Sequence, residues 1–269
     1  KTKAIVVVHL GGWPAEMEKI TKLASNYNLK LIEDCAQAHG AKIKGKSVGT
    51  FGDMAAWSFC TDKIMSTGGE GGMVTTNNNL LWESVWSLKD HGKSYNAVFK
   101  RNHRPGFKWL HEGFGSNFRL TEMQAAIGRI QLNKLDEWNS IRSMNAMILI
   151  NELNKLSILN IPLPPNSVTH AWYKFHCYLN MNCISSEWSR DRIVNEINSL
   201  GYPAFHGSCS EIYMEKCFKD KRLVPKERLA NAKKLGETSL MFLLHPTITK
   251  VQMKEYANTI RKVLEKATK

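Results

Sequence analysis

The chain has 269 residues, enough for one large domain or two ordinary ones. Its 43% hydrophobic and 23% charged residues exclude a disordered or fibrous class, and the lack of any run of about 18 apolar residues speaks against a membrane-spanning helix. The formal charge of +13, from 37 Lys and Arg against 24 Asp and Glu, favours anionic partners, either nucleic acid or phosphorylated small molecules.

The basic residues are scattered, however. Lys42, Lys44 and Lys46 alternate around a turn, and Lys219, Lys221 and Arg222 cluster late. No basic stripe interleaved with aromatics and no nucleic-acid module is apparent, so a basic solvated surface is the plainer reading. Cys35, Cys60, Cys177, Cys183, Cys209 and Cys217 form no C-x-x-C pair. Free thiols in a reducing cytoplasm are expected, with no metal site. The opening Lys1-Thr2-Lys3 and the short apolar run after it make a poor signal peptide and a good buried strand.

Along the chain, Ala4 to His9 reads as a strand, and Pro14 stands at a plausible first helical position. Met17, Ile20, Leu23 and Ala24 then recur at helical spacing. Leu29, Leu31 and Ile32 make the next strand, ending on Glu33 and Asp34, which completes a β-α-β unit. Strands are predicted at 54–59 and 73–76 and a helix over 80–90. Thr121-Glu122-Met123-Gln124 is a capping box opening a long helix through Ile127, Ile130, Leu132 and Leu135, continuing past Ile141.

The character changes after about Leu156. Residues 161–165, IPLPP, form an extended linker. Residues 172–181 are strand-like, and 186–200 read as a helix stopped by Gly201. A second capping box at Thr249–Gln252 opens a terminal helix along Met253, Tyr256, Ala257, Ile260, Val263 and Leu264. The fold expected is α/β: a large domain over 1–140 and a small α+β domain over 141–269.

Three segments could carry chemistry. Asp34 closes a strand where open α/β sheets bind ligands, although for such an acid taken alone a turn or cap role is the commoner one. Ser58 and Lys63 lie five residues apart, ahead of Gly68-Gly69-Glu70-Gly71-Gly72. Those glycines would admit a phosphorylated cofactor or simply a tight turn; they match neither the P-loop nor the dinucleotide pattern. Gly115-Ser116-Asn117-Phe118-Arg119 precedes the first capping box, where an amide and a guanidinium near a helix start suit an anion, or merely helix entry.

In order and spacing these segments resemble the DegT/DnrJ/EryC1/StrS family of sugar aminotransferases. The similar stretches are VHLGGWPAEM at 8–17, EDCAQAHG at 33–40, VGTFGD at 48–53, SFCTDK at 58–63, GEGGMVTT at 69–76 and GSNFRLTEMQAAIGRIQL at 115–132. The resemblance is strong to about residue 136 and looser beyond it.

It implies the aspartate-aminotransferase-like fold of pyridoxal-phosphate-dependent transferases (fold type I), with the large domain incomplete at its N-terminus, so that the parent protein is expected to be longer. It further implies that Lys63 binds pyridoxal 5'-phosphate covalently and shuttles protons, and that Asp34 faces the pyridine nitrogen. Gln37 would lie near the ring hydroxyl and Ser58 would hold the phosphate. Asn117 would reach the phosphate of a neighbouring subunit's cofactor, which requires a homodimer with shared active sites. L-glutamate is the implied donor and a nucleotide-linked keto sugar the acceptor, with Lys93, Lys100, Arg101, His103, Arg104, Lys108 and His111 as a candidate wall for it. The rivals are an aminotransferase for another carbonyl compound and a non-enzymatic basic protein that binds nucleic acid or regulates genes.

Overall fold

The computed structural model describes residues 1–106, 108–219 and 224–269; Lys221 and Arg222 of the late basic cluster lie outside them. In chain order the elements are β1 (Ala4–Val8), α1 (Met17–Asn26), β2 (Lys30–Asp34), β3 (Lys42–Ile43), β4 (Lys46–Ser47), β5 (Met54–Ser58), β6 (Gly72–Thr75), α2 (Asn79–Lys89), α3 (Tyr95–Phe99), α4 (Glu122–Asn133) and α5 (Leu135–Leu153). They continue with β7 (Leu159–Asn160), β8 (Val168–Thr169), β9 (Phe175–Leu179), α6 (Arg190–Ser199), β10 (Ala204–Phe205), α7 (Lys216–Lys219), α8 (Ala230–Thr238), β11 (Ser239–Phe242) and α9 (Lys250–Ala267). Two compact units emerge: residues 1–137 with 165–171, and residues 138–164 with 172–269.

The first unit is built on a sheet of order β1-β2-β5-β6. β1, β2 and β5 run parallel and β6 returns antiparallel. Side chains alternate across a strand, and the register makes the consequence explicit. Val7, Glu33 and Ala55 align on one face, and all three are buried. Here α1 brings Met17, Ile20 and Ala24 against Val7 and Leu31. Val8, Asp34, Ala56 and Val74 align on the other face, where Val8 and Val74 are each 45% exposed. Asp34 therefore lies on the open face and Glu33 on the covered one.

Two details depart from the pattern read in the sequence. α1 begins at Met17, and Pro14 precedes it, because the Ala15 N–H donates to His9 Nδ1 at 3.0 Å and residues 10–12 form a tight 3-10 turn. The long helix expected from Thr121 ends at Asn133. At Lys134 the N–H turns back to Gln131, and α5 starts afresh at Leu135. The lysine-rich turn is a β3–β4 hairpin that also pairs with β8. Lys44 and Gly45 occupy its positive-φ positions, and Lys44 pairs with Glu18 at 2.5 Å.

The second unit has a β10-β11-β9-β7 antiparallel sheet. Phe175, Leu240 and Phe242 pack with Ile193 and Ile197 of α6 and with Met253, Ile260 and Leu264 of α9. All are essentially solvent-free, worth about 1.5–3 kcal/mol per large side chain. The six residues named for the terminal helix are all buried, and both capping boxes close as expected. No helix among the described residues is long and apolar enough to cross a membrane.

Candidate active site

Asp34 ends β2 and Ser58 ends β5, the strand beside it. Asp34 is in register with Ala56, and Ser58 lies two residues further along, so both side chains occupy the open face. Asp34 Oδ1 accepts the Ala36 N–H at 3.0 Å, which turns the chain towards Gln37. Gln37 Oε1 in turn accepts the Gly11 N–H at 2.6 Å. With its oxygen so occupied, the Gln37 amide retains two N–H donors.

Lys63 follows Ser58 on a loop secured at several points. Phe59 N–H donates to Gly71 O at 2.8 Å and Lys63 N–H to Cys60 O at 3.0 Å. From α4, Gln124 Nε2 donates to Glu70 O at 2.6 Å, and Gln131 Oε1 accepts the Ser66 N–H at 2.7 Å. The return strand needs its glycines: a Cβ at Gly72 would fall 2.7 Å from Trp57 O, and one at Gly71 would fall 2.3 Å from Thr67 Oγ1. The Lys63 side chain is 17% exposed, with Nζ 3.5 Å from Asp62 Oδ1. The Ser58 hydroxyl accepts the Cys60 N–H at 3.3 Å.

Asn117 is exposed and sits in a bridge with Asp90. Its Oδ1 accepts from Arg119 Nε at 3.0 Å, and Arg119 lies 3.6 Å from Asp90. The Asp90 carboxyl is held below its ordinary value: burial raises it, but Lys93, at 3.2 Å, with Lys89 and Arg119, more than compensates. Lys93 is thus buried against Asp90 and offers no wall. Arg101 is engaged with Glu112 at 2.8 Å. Lys100, His103, Arg104, Lys108 and His111 are exposed.

Residue reasoning missed the cluster beneath this site. His9, Glu33 and Cys35 are buried with ligand-type atoms within 4.8 Å of one another. Yet Glu33 already accepts three backbone N–H groups and His9 Nε2, and His9 Nδ1 accepts from Ala15. Burial, with the charges of Glu33 and Asp34, pushes the Cys35 thiol up and opposes a thiolate. The donors are spent within the protein, so the cluster reads as a hydrogen-bond hub. Its signal lay in strand alternation, which sends Glu33 and Asp34 to opposite faces.

A cavity of about 630 Å³ is lined by His39, Trp57, Phe59, Met65, Thr67 and Arg129 among others; Asp34, Gln37, Ser58 and Lys63 take no part in it.

The model of the DegT/DnrJ/EryC1/StrS aminotransferase family matches residues 1–261. An aminotransferase from Psychrobacter cryohalolentis is 52% identical with a TM-score of 0.96, covering 99% of this chain and 70% of that one. An uncharacterised protein of Methanocaldococcus jannaschii is 33% identical over 98% of this chain and 67% of its own length. The GDP-perosamine synthase of Escherichia coli O157:H7 is 40% identical over 64% of this chain and 44% of its own length, and an Acidithiobacillus ferrooxidans UDP-N-acetyl-3-dehydro-alpha-D-glucosamine 3-aminotransferase is 32% identical over 98% and 65%. The matched region thus spans between under half and two thirds of these three relatives' lengths. With the fold type I architecture of a pyridoxal-phosphate-dependent aminotransferase and a family match along nearly its whole length, the chain belongs to the DegT/DnrJ/EryC1/StrS aminotransferase family.

Proposed function

We propose that this chain carries the core of an enzyme that transfers an amino group, from L-glutamate, to a nucleotide-linked keto sugar, with pyridoxal 5'-phosphate as cofactor. The observation that carries the reading is the placing of Asp34 and Ser58 on one open sheet face at adjacent strand ends, with Lys63 five residues on along a clamped loop. This donor set fits the cofactor: an acid, a hydroxyl, an amide with free N–H groups and a partly sheltered amine. When bound, pyridoxal phosphate supplies an electron sink for the carbon that loses its proton.

Asp34 would face the ring nitrogen and favour its protonated form. Gln37 donates to the ring hydroxyl, and Ser58 Oγ donates to the phosphate. Lys63 Nζ would hold the cofactor covalently, and as a free amine it would serve as the base and acid that moves a proton at the donor's α carbon. Asn117 serves the phosphate of a second copy. Support for a homodimer comes from α4, where Gln124, Ile127, Gly128 and Gln131 face the lysine loop while Met123 and Ile130 stand 77% and 60% exposed on another side. Exposed apolar side chains of this kind, with Phe118 a few residues ahead of the helix, are characteristic of an interface.

The acceptor class is supported by the names of relatives such as GDP-perosamine synthase and by the basic excess, which suits an anionic sugar nucleotide. Six free thiols fit a reducing, cytoplasmic setting.

The test is spectroscopic. Full-length protein should be yellow, borohydride should fix the cofactor to Lys63, and Lys63→Ala should abolish transfer from glutamate to nucleotide-linked keto sugars without unfolding the protein. A colourless protein that gains no band with added pyridoxal phosphate would sink the reading, and steeply salt-dependent nucleic-acid binding would then favour the regulatory alternative.

A further inference from the structure

We propose that the buried Glu33 carboxylate is a positioning residue for the cofactor site, acting through His9 and the 9–15 loop to fix the Gln37 amide. The inference rests on the reading of Gln37 as the donor to the cofactor's ring hydroxyl.

The chain of contacts is continuous from Glu33 to Gln37. Glu33 Oε1 accepts the Phe51 and Gly52 N–H groups, each at 2.7 Å. Oε2 accepts the Gly49 N–H at 2.7 Å and lies 3.1 Å from His9 Nε2. A carboxylate has about four lone-pair positions, and all are used. A glutamine would offer one oxygen, and its NH₂ would confront two groups that also donate.

Saturation fixes the imidazole. His9 Nδ1 accepts from the Ala15 N–H at 3.0 Å, so the ring proton sits on Nε2 and points at Glu33. Glu33, as an acceptor, holds the ring from its other side. His9 and Ala15 bracket the loop that carries Gly11, at φ 67°, and the Gly11 N–H takes the oxygen of Gln37 at 2.6 Å. Hence the hub sets the loop, the loop holds one end of the Gln37 amide, and the other end remains a donor.

Fold cohesion on this face has other sources. β1 and β2 already pair over five residues, and α1 seals the same face with Met17 and Ala24. A buried carboxylate is costly unless fully bonded, whereas an apolar side chain could fill the space. Burial pushes the Glu33 pKa up, and the His9 and backbone hydrogen bonds outweigh it, leaving the pKa below the ordinary value. What the charge adds is direction at the strand end that also presents Asp34.

The experiment follows the Gly11 amide, whose only role in this chain of contacts is to bond Gln37. Amide exchange by NMR is compared in the wild type, Glu33→Gln, His9→Gln, Gln37→Ala and the Glu33→Gln/Gln37→Ala double variant. His9→Gln leaves Glu33 its three backbone donors and covers the case where Glu33→Gln fails to fold. Gly11 exchange should quicken roughly tenfold in each single variant, as expected for loss of one hydrogen bond, and no further in the double variant. Amides of β2 should keep their protection.

In cofactor-loaded protein the visible band should shift in the same direction in Glu33→Gln and Gln37→Ala. Unchanged Gly11 exchange in His9→Gln, or additive effects in the double variant, would overturn the proposal. A wild type without a visible band defeats the functional reading instead, while the exchange measurement still decides the hub.

Discussion

Glu211 shows how strongly single ionic contacts are set in this chain. Arg228 Nε donates to its Oε1 at 3.0 Å and the Tyr213 hydroxyl at 2.6 Å, which together hold its pKa at about 2 against an ordinary 4.5. A carboxyl whose folded pKa is depressed stabilises the fold above the unfolded pKa and loses that contribution as pH falls through the folded one. Stability should therefore decline between about pH 5 and pH 2. Urea midpoints measured through that window should fall less steeply in Glu211→Gln than in the wild type; identical slopes would show that the pair contributes nothing. Glu33 has the same sign and should add to the acid sensitivity. Of the residues proposed for the chemistry, Lys63 and Ser58 were legible only through the company they keep, because a loop lysine after a serine has no chemical signature by itself. Glu33 and His9 were not legible as a pair: 24 positions separate them, and nothing local announces that one sheet face will bury both.

At the scale of elements, α4 does two jobs with one residue. Gln124 closes the capping box with Thr121 and also donates Nε2 to Glu70 O on the lysine loop. Gln124→Ala should cost about 1–2 kcal/mol, one cap bond and one loop bond. It should also speed amide exchange at residues 59–71, while Gln124→Glu keeps the cap acceptor and frees only the loop. Urea unfolding and exchange on the same samples separate the two effects; equal loop protection in all three would remove the loop role. Capping boxes and apolar spacing made α4, α6 and α9 readable, because those signals are local. β3, β4 and β8 were not readable as strands: each has two residues, too few for a period of two, and β8 exists because it meets β3 from far along the chain. The same limit hid the break at Lys134, where one turned-back N–H divides a continuous helical pattern.

For the whole molecule, the proposed homodimer would set a second copy over the exposed side of α4 and over Phe118, 69% exposed. Ile130→Glu should place a charge in that cover and yield monomers in sedimentation velocity, with weaker cofactor retention if Asn117 serves the neighbouring site. A wild-type monomer, or a variant that still dimerises with unchanged retention, would refute that assembly. The sequence by itself determined the α/β class, the capped helices and the family, because hydrophobic period, cap chemistry and motif order are written locally along the chain. Only the tertiary structure decided that Asp34 and Ser58 share an open face, that Glu33 turns away to gather His9 and three backbone N–H groups, and that the 165–171 segment returns to the first unit. Those outcomes depend on strand register and on contacts between distant residues, and neither has a local signal.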